Sequence, residues 1–89
     1  MLCKIGELKN KQVISMETGA VLGYIGDVEI DTESGAISHV IIPGKLRAMG
    51  FLGREEDFRV EWKNMEVIGD ETILVSGAVQ YIKEKRKIL

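Results

Sequence analysis

Cysteine, proline, histidine and tryptophan each occur once in these 89 residues. A single thiol, Cys3, allows neither an internal disulfide nor a cluster of cysteine ligands, which fits a reducing compartment. Cys3 itself is expected to be an ordinary side chain near a terminus. The lone His39 has no identifiable nucleophile beside it, so no serine-histidine-acid arrangement can be argued; its expected state is a half-buried polar residue on a strand. No apolar run approaches the roughly 20 residues of a membrane helix. Met1-Leu2-Cys3-Lys4 shows neither the basic leader nor the apolar core of a signal peptide. A cytoplasmic location with no membrane contact is therefore expected. Aromatics are also scarce, limited to Tyr24, Phe51, Phe58, Trp62 and Tyr81. Sheet-based RNA binders stack bases on exposed aromatics within a basic surface, whereas Phe58 and Trp62 here read as core.

What the chain does have is an ordinary globular composition, 45% hydrophobic and 29% charged with a net charge of −2. One domain is expected, and at this length folding buries only about 60% of the surface the unfolded chain exposes. Charge is unevenly placed: Lys83-Glu84-Lys85-Arg86-Lys87 carries +3, leaving eight basic and thirteen acidic side chains in residues 1–82. An acidic body with a short basic tail is the electrostatic outline.

Turn signals at Glu17-Thr18-Gly19, Glu33-Ser34-Gly35 and Gly69-Asp70-Glu71 separate segments rich in Val, Ile and Leu. In the first two, a glycine ends a polar run, as hairpin loops require where one residue enters the left-handed region. The strands this implies are Gln12 to Met16, Val21 to Asp31, Ala36 to Pro43, Phe58 to Trp62, Met65 to Ile68 and Thr72 to Val75. Short, regularly spaced strands argue for an all-β fold, a small antiparallel barrel of about six strands. Trp62-Lys63-Asn64 is expected to form one tight helical turn. From Val21 to Asp31, alternation places the even-numbered residues on one face and Asp27, Glu29 and Asp31 on the other. In the return strand Ile37 and Ile41 oppose Val40 and Ile42, so either both faces are covered, by Ile5 and Leu8 or by the tail, or a bulge shifts the phase. Residues 77–89, a basic extension beyond a domain of residues 1–76, suit a short amphipathic helix or a flexible tail.

The three carboxylates of that strand read as a solvated face, with an ion or basic partner as the minor alternative. Gly44, Gly50 and Gly53 with Lys45, Arg47 and Arg54 match neither the dinucleotide fingerprint nor the Walker loop. No metal or cofactor is therefore expected. The same connection, Gly44 to Asp57, is the strongest functional candidate on other grounds. It holds Leu46, Met49, Phe51 and Leu52 in a loop longer than most, and these need cover from the barrel, a second copy or a partner.

The segment Leu8 to Val13, the run Gly23-Tyr24-Ile25-Gly26-Asp27-Val28-Glu29-Ile30-Asp31 with Glu33-Ser34-Gly35, the loop Gly50-Phe51-Leu52-Gly53-Arg54-Glu55-Glu56-Asp57, and the close at Trp62 through Ile68-Gly69 to Ile73-Leu74-Val75 resemble the PRC-barrel family. More narrowly they resemble its stand-alone YlmC/YmxH branch of sporulation-associated proteins from spore-forming Firmicutes. The resemblance spans about residues 4 to 76. It departs at Glu61, where that branch often has a proline, and in residues 77–89. It implies a small β-barrel that serves as a docking or assembly module, with no catalytic motif to carry over.

The expected function is thus non-enzymatic protein binding, with Lys45, Leu46, Arg47, Met49, Phe51, Leu52 and Arg54 and the tail as contact residues. The partner is an unknown protein, and homodimerisation is a companion expectation. The rival reading is an RNA- or ribosome-associated module using Lys45, Arg47, Arg54 and the Lys83 to Lys87 cluster.

Overall fold

A computed structural model describes residues 2–44 and 56–77, and the backbone of residues 80–82. The chain opens with one helical turn, α1 (Ile5–Leu8), whose Leu8 is buried while Ile5 stays about half exposed. Among the described residues eight strands follow: β1 (Gln12–Ser15), β2 (Val21–Tyr24), β3 (Asp27–Ile30), β4 (Ile37–Ile42), β5 (Asp57–Glu61), β6 (Met65–Ile68), β7 (Thr72–Val75) and β8 (Gln80–Ile82). A single 3-10 turn, Trp62–Asn64, joins β5 to β6, as the short spacing there requires. Among the described residues no helix is long and apolar enough to cross a membrane.

The two polar turns close as their glycines predict. Gly19 and Gly35 have φ of 73° and 76°, and each donates its amide to a carbonyl four residues back, to Ser15 and Asp31 at 2.8 Å. Asp31 adds a local cap, its Oδ1 accepting from the Glu33 amide at 2.9 Å.

The strands sort into two four-stranded sheets, ordered β2-β1-β7-β6 and β3-β4-β5-β8. The fold is all-β, but three features correct the barrel expected from sequence. Among the described residues the strands form two hydrogen-bonded sheets and not one closed ring. β1 pairs with β7 in parallel, Val13 opposite Ile73 and Ser15 opposite Val75, so the sheet is not purely antiparallel. The reason is that β1 and β7 are brought together over a long crossover, which tight turns cannot supply.

The third correction falls on the stretch read as one strand from Val21 to Asp31. It is two strands, β2 in the first sheet and β3 in the second, with a corner at Ile25-Gly26. A side chain at Gly26 would have its Cβ 2.5 Å from Cγ of Pro43, and the Gly26 amide donates to the Ile41 carbonyl at 2.8 Å. Only glycine lets the chain turn this tightly against the end of β4. The corner turns Ile25 into the core at 2% exposure and leaves Tyr24 and Ile30 more than half exposed, so the even-numbered residues do not share one face.

In β4 the phase problem is resolved by a bulge. Glu29 faces His39 but Ile30 faces Ile37, so Ser38 is the extra residue, and Val40 and Ile42 point inward. The core is Leu8, Val13, Ile25, Val40, Ile42, Val60, Ile73 and Val75, with Phe58 and Trp62 packed against it. Part of the extension read as a helix is also strand: Gln80–Ile82 is β8, paired with β5. There the backbone groups of an otherwise open β5 edge outweigh a weak helical pattern.

Candidate interaction surfaces

The long connection between β4 and β5 rises from a closed neck. Ile42 pairs with Phe58, and just beyond, the Gly44 amide donates to Oδ1 of Asp57 at 2.8 Å. Asp57 is only 4% exposed. Its carboxylate is a buried strut across the loop's base. The Pro43 ring forms the other wall, seated against Gly26. The candidate contact residues Lys45, Leu46, Arg47, Met49, Phe51, Leu52 and Arg54 lie outside the described residues, as do residues 83–89.

The neck nevertheless relates these two segments. β8 runs antiparallel to β5 with Ile82 opposite Asp57, so β8 ends beside the point where the loop closes. Sequence spacing gave no sign of this, since Asp57 and Ile82 are far apart along the chain. The loop and the basic extension leave from one end of one sheet.

The outer face of the second sheet carries a polar cluster. Arg59 on β5 reaches across β4, its Nε donating to Glu29 Oε1 at 2.6 Å and its Nη2 to Oε2 at 3.4 Å. Beneath that bridge His39 presents Nδ1 to Arg59 Nη2 at 3.3 Å and to Ser38 Oγ at 3.1 Å, with Glu29 Oε1 3.9 Å away. An arginine can only donate, so Nδ1 accepts from it and the neutral ring carries its proton on Nε2. Serine, histidine and a carboxylate are all present, yet both Ser38 and Glu29 meet the same ring nitrogen. A proton relay needs them on opposite nitrogens, so this cluster ties three strands together and cannot activate Ser38. His39 is the half-buried polar residue expected. Arg59 was not singled out from sequence, although its place between inward-facing Phe58 and Val60 is the signal that sends it outward.

The three acidic residues read as one face do not converge. Asp27 Oδ1 accepts from the Val28 amide at 2.8 Å, Glu29 binds Arg59, and Asp31 caps its turn. Among the described residues no three His, Cys, Asp or Glu side chains are grouped to hold a metal.

A small two-sheet all-β domain, with an anchored loop at one end and a strut beneath it, is the class these features define. The sequence model of the PRC-barrel domain matches residues 4–80, and the chain belongs to the PRC-barrel family. It is 36% identical over 74 residues to the probable sporulation protein YlmC of Bacillus subtilis, covering 83% of this chain and 91% of that protein. It is also 36% identical over 73 residues to an uncharacterised protein of Clostridium acetobutylicum, covering 82% and 83% of the two chains.

Proposed function

We propose that this chain is a cytoplasmic, non-enzymatic protein-binding module whose contact surface combines the loop of residues 44–57 with the extension of residues 77–89. The observation that carries the reading is the neck, where Gly44, Asp57 and Ile82 gather the two segments at one end of the second sheet. A buried carboxylate bracing a glycine-rich loop holds its base at fixed separation, which lowers the ordering cost of binding through it. The apolar loop residues Leu46, Met49, Phe51 and Leu52 supply the surface to be covered, and the flanking charges select the partner. A probable sporulation protein among the relatives supports a role in the same process.

The test is quantitative affinity capture from the source cells with three baits: wild type, Phe51→Asp with Leu52→Asp, and a chain ending at residue 82. The expected outcome is one protein retained by the wild type and lost from both variants. Identical capture by all three baits would refute the reading.

The same neck favours a second reading. It sets the two ends of the segment containing Lys45, Arg47 and Arg54 beside Ile82, the residue that precedes the Lys83 to Lys87 cluster, and basic residues shared between two such segments suit RNA. That reading predicts affinity for a mixed RNA pool that falls steeply with salt and is lost from the chain ending at residue 82.

A further inference from the structure

The two sheets differ in a way that burial in the core does not explain. The sixteen residues of β1, β2, β6 and β7 include one charged side chain, Glu66, while the second sheet carries Asp27, Glu29, Asp57, Arg59 and Glu61. In the first sheet Val13, Ser15, Ile73 and Val75 point inward, so their neighbours in register point out. The pairings Val21 with Ile14, Ile14 with Leu74, and Leu74 with Val67 therefore draw one apolar row across all four strands on the outer face. Val21 and Val67 are about half exposed, and Tyr24 and Met16 extend the patch on either side of the row. An antiparallel or mixed sheet with one free face ordinarily alternates apolar inside with polar outside. Here the outer face carries a continuous apolar row with the polar Gln12 and Thr72 beside it, and such a row is the mark of a surface that something covers.

Size and charge indicate the occupant. Four strands about 4.8 Å apart and a few residues deep make a patch about 19 Å by about 14 Å. A stable dimer buries roughly 800 Å² per partner, about three times that footprint. A single helix about 10 Å across and about 13 residues long matches it. Both ends of the patch are acidic. Glu66 and Glu17 border one end, accepting from Ser76 Oγ at 2.7 Å and from the Gly77 amide at 3.1 Å. Asp70 and Glu71 are exposed at the other, where Lys11 is turned aside with Nζ 2.6 Å from the carbonyls of Gly69 and Asp70. None of the four strands contributes a lysine or arginine.

We propose that the outer face of the first sheet docks a basic amphipathic helix of a partner protein. Its apolar stripe lies on the Val21, Ile14, Leu74 and Val67 row, and its Lys and Arg side chains reach the carboxylates at either end. The row lies on the first sheet, whereas Gly44, Asp57 and Ile82 lie at the end of the second, and the proposal does not rest on the proposed function.

Fluorescence anisotropy with a labelled Leu/Lys amphipathic peptide of about fourteen residues, and a Leu/Glu peptide of the same apolar pattern, tests it. The expected result is micromolar binding of the Leu/Lys peptide, weakened at least about tenfold by Val21→Glu with Val67→Glu and several-fold by raised salt. The control Ile30→Glu, at an equally exposed position on the other sheet, should bind as wild type, as should Phe51→Asp with Leu52→Asp. Glu17→Lys with Glu66→Lys should shift preference towards the Leu/Glu peptide without altering the apolar row. Circular dichroism of each variant confirms that it is folded. Three results would overturn the proposal: no binding at about 100 μM peptide, equal weakening by Ile30→Glu, or a light-scattering dimer that Val67→Glu dissociates, which would give the face to a second copy.

Discussion

The corner at Ile25-Gly26 divides one stretch of chain between two sheets, and its strength can be measured by filling it. Gly26 has no left-handed φ, so alanine is conformationally acceptable there and the obstacle is space alone. An added Cβ would stand 2.5 Å from Pro43 Cγ and 2.8 Å from Cδ, against atoms of a closed ring that cannot rotate aside. Overpacking of this kind costs about 1–3 kcal/mol, while reduced freedom of the unfolded chain returns about 0.4–1 kcal/mol. Gly26→Ala alone should therefore destabilise by about 1–2 kcal/mol. In a Pro43→Ala background both clashing atoms are gone, and the same substitution should be neutral or stabilising. The double-mutant cycle then gives a coupling of about 1–2.5 kcal/mol. Urea unfolding followed by Trp62 fluorescence reads this as a fall in midpoint of about 1 M that disappears in the second background. Equal cost in both backgrounds would show that the ring is not what holds the corner closed.

Asp57→Ala should cost about 1.5–3 kcal/mol by removing a charged acceptor from the loop's base, seen as a fall in Tm of roughly 6–24 °C by calorimetry. Gly35→Val should cost at least about 1 kcal/mol, since its φ of 76° is strained for any side chain and worst for a β-branched one; urea unfolding unchanged from wild type would contradict it. Glu29→Gln breaks a pair whose side chains are a third or more exposed, so the loss should stay below about 1 kcal/mol and shrink further in 0.5 M salt.

Residue order alone determined what depends on neighbours along the chain. The polar runs ending in Gly19 and Gly35 define turns because a left-handed residue is needed at that point whatever surrounds it, and the Val, Ile and Leu segments between such turns become strands. The single helical turn at Trp62–Asn64 follows from a connection too short for anything else. The motifs carrying the family resemblance are local in the same sense, which is why the PRC-barrel membership was legible.

Tertiary structure decided whatever depends on residues distant in sequence. Alternation from Val21 to Asp31 described an unbroken strand because nothing in it records that Pro43 will press on Gly26. The three carboxylates looked like one surface until Arg59 took one of them and two local amides the others. A weak helical pattern at Gln80–Ile82 yielded to an unpaired strand edge. The same holds for the surfaces of interest. Only the pairing of Asp57 with Ile82 joins the loop to the extension, and only the parallel alignment of β1 with β7 lines up Ile14 with Leu74. Period-two patterns tell which residues share a face of one strand. Which strands lie side by side, and so whether their exposed apolar residues form a continuous row, is set by long-range packing that no short window of sequence contains.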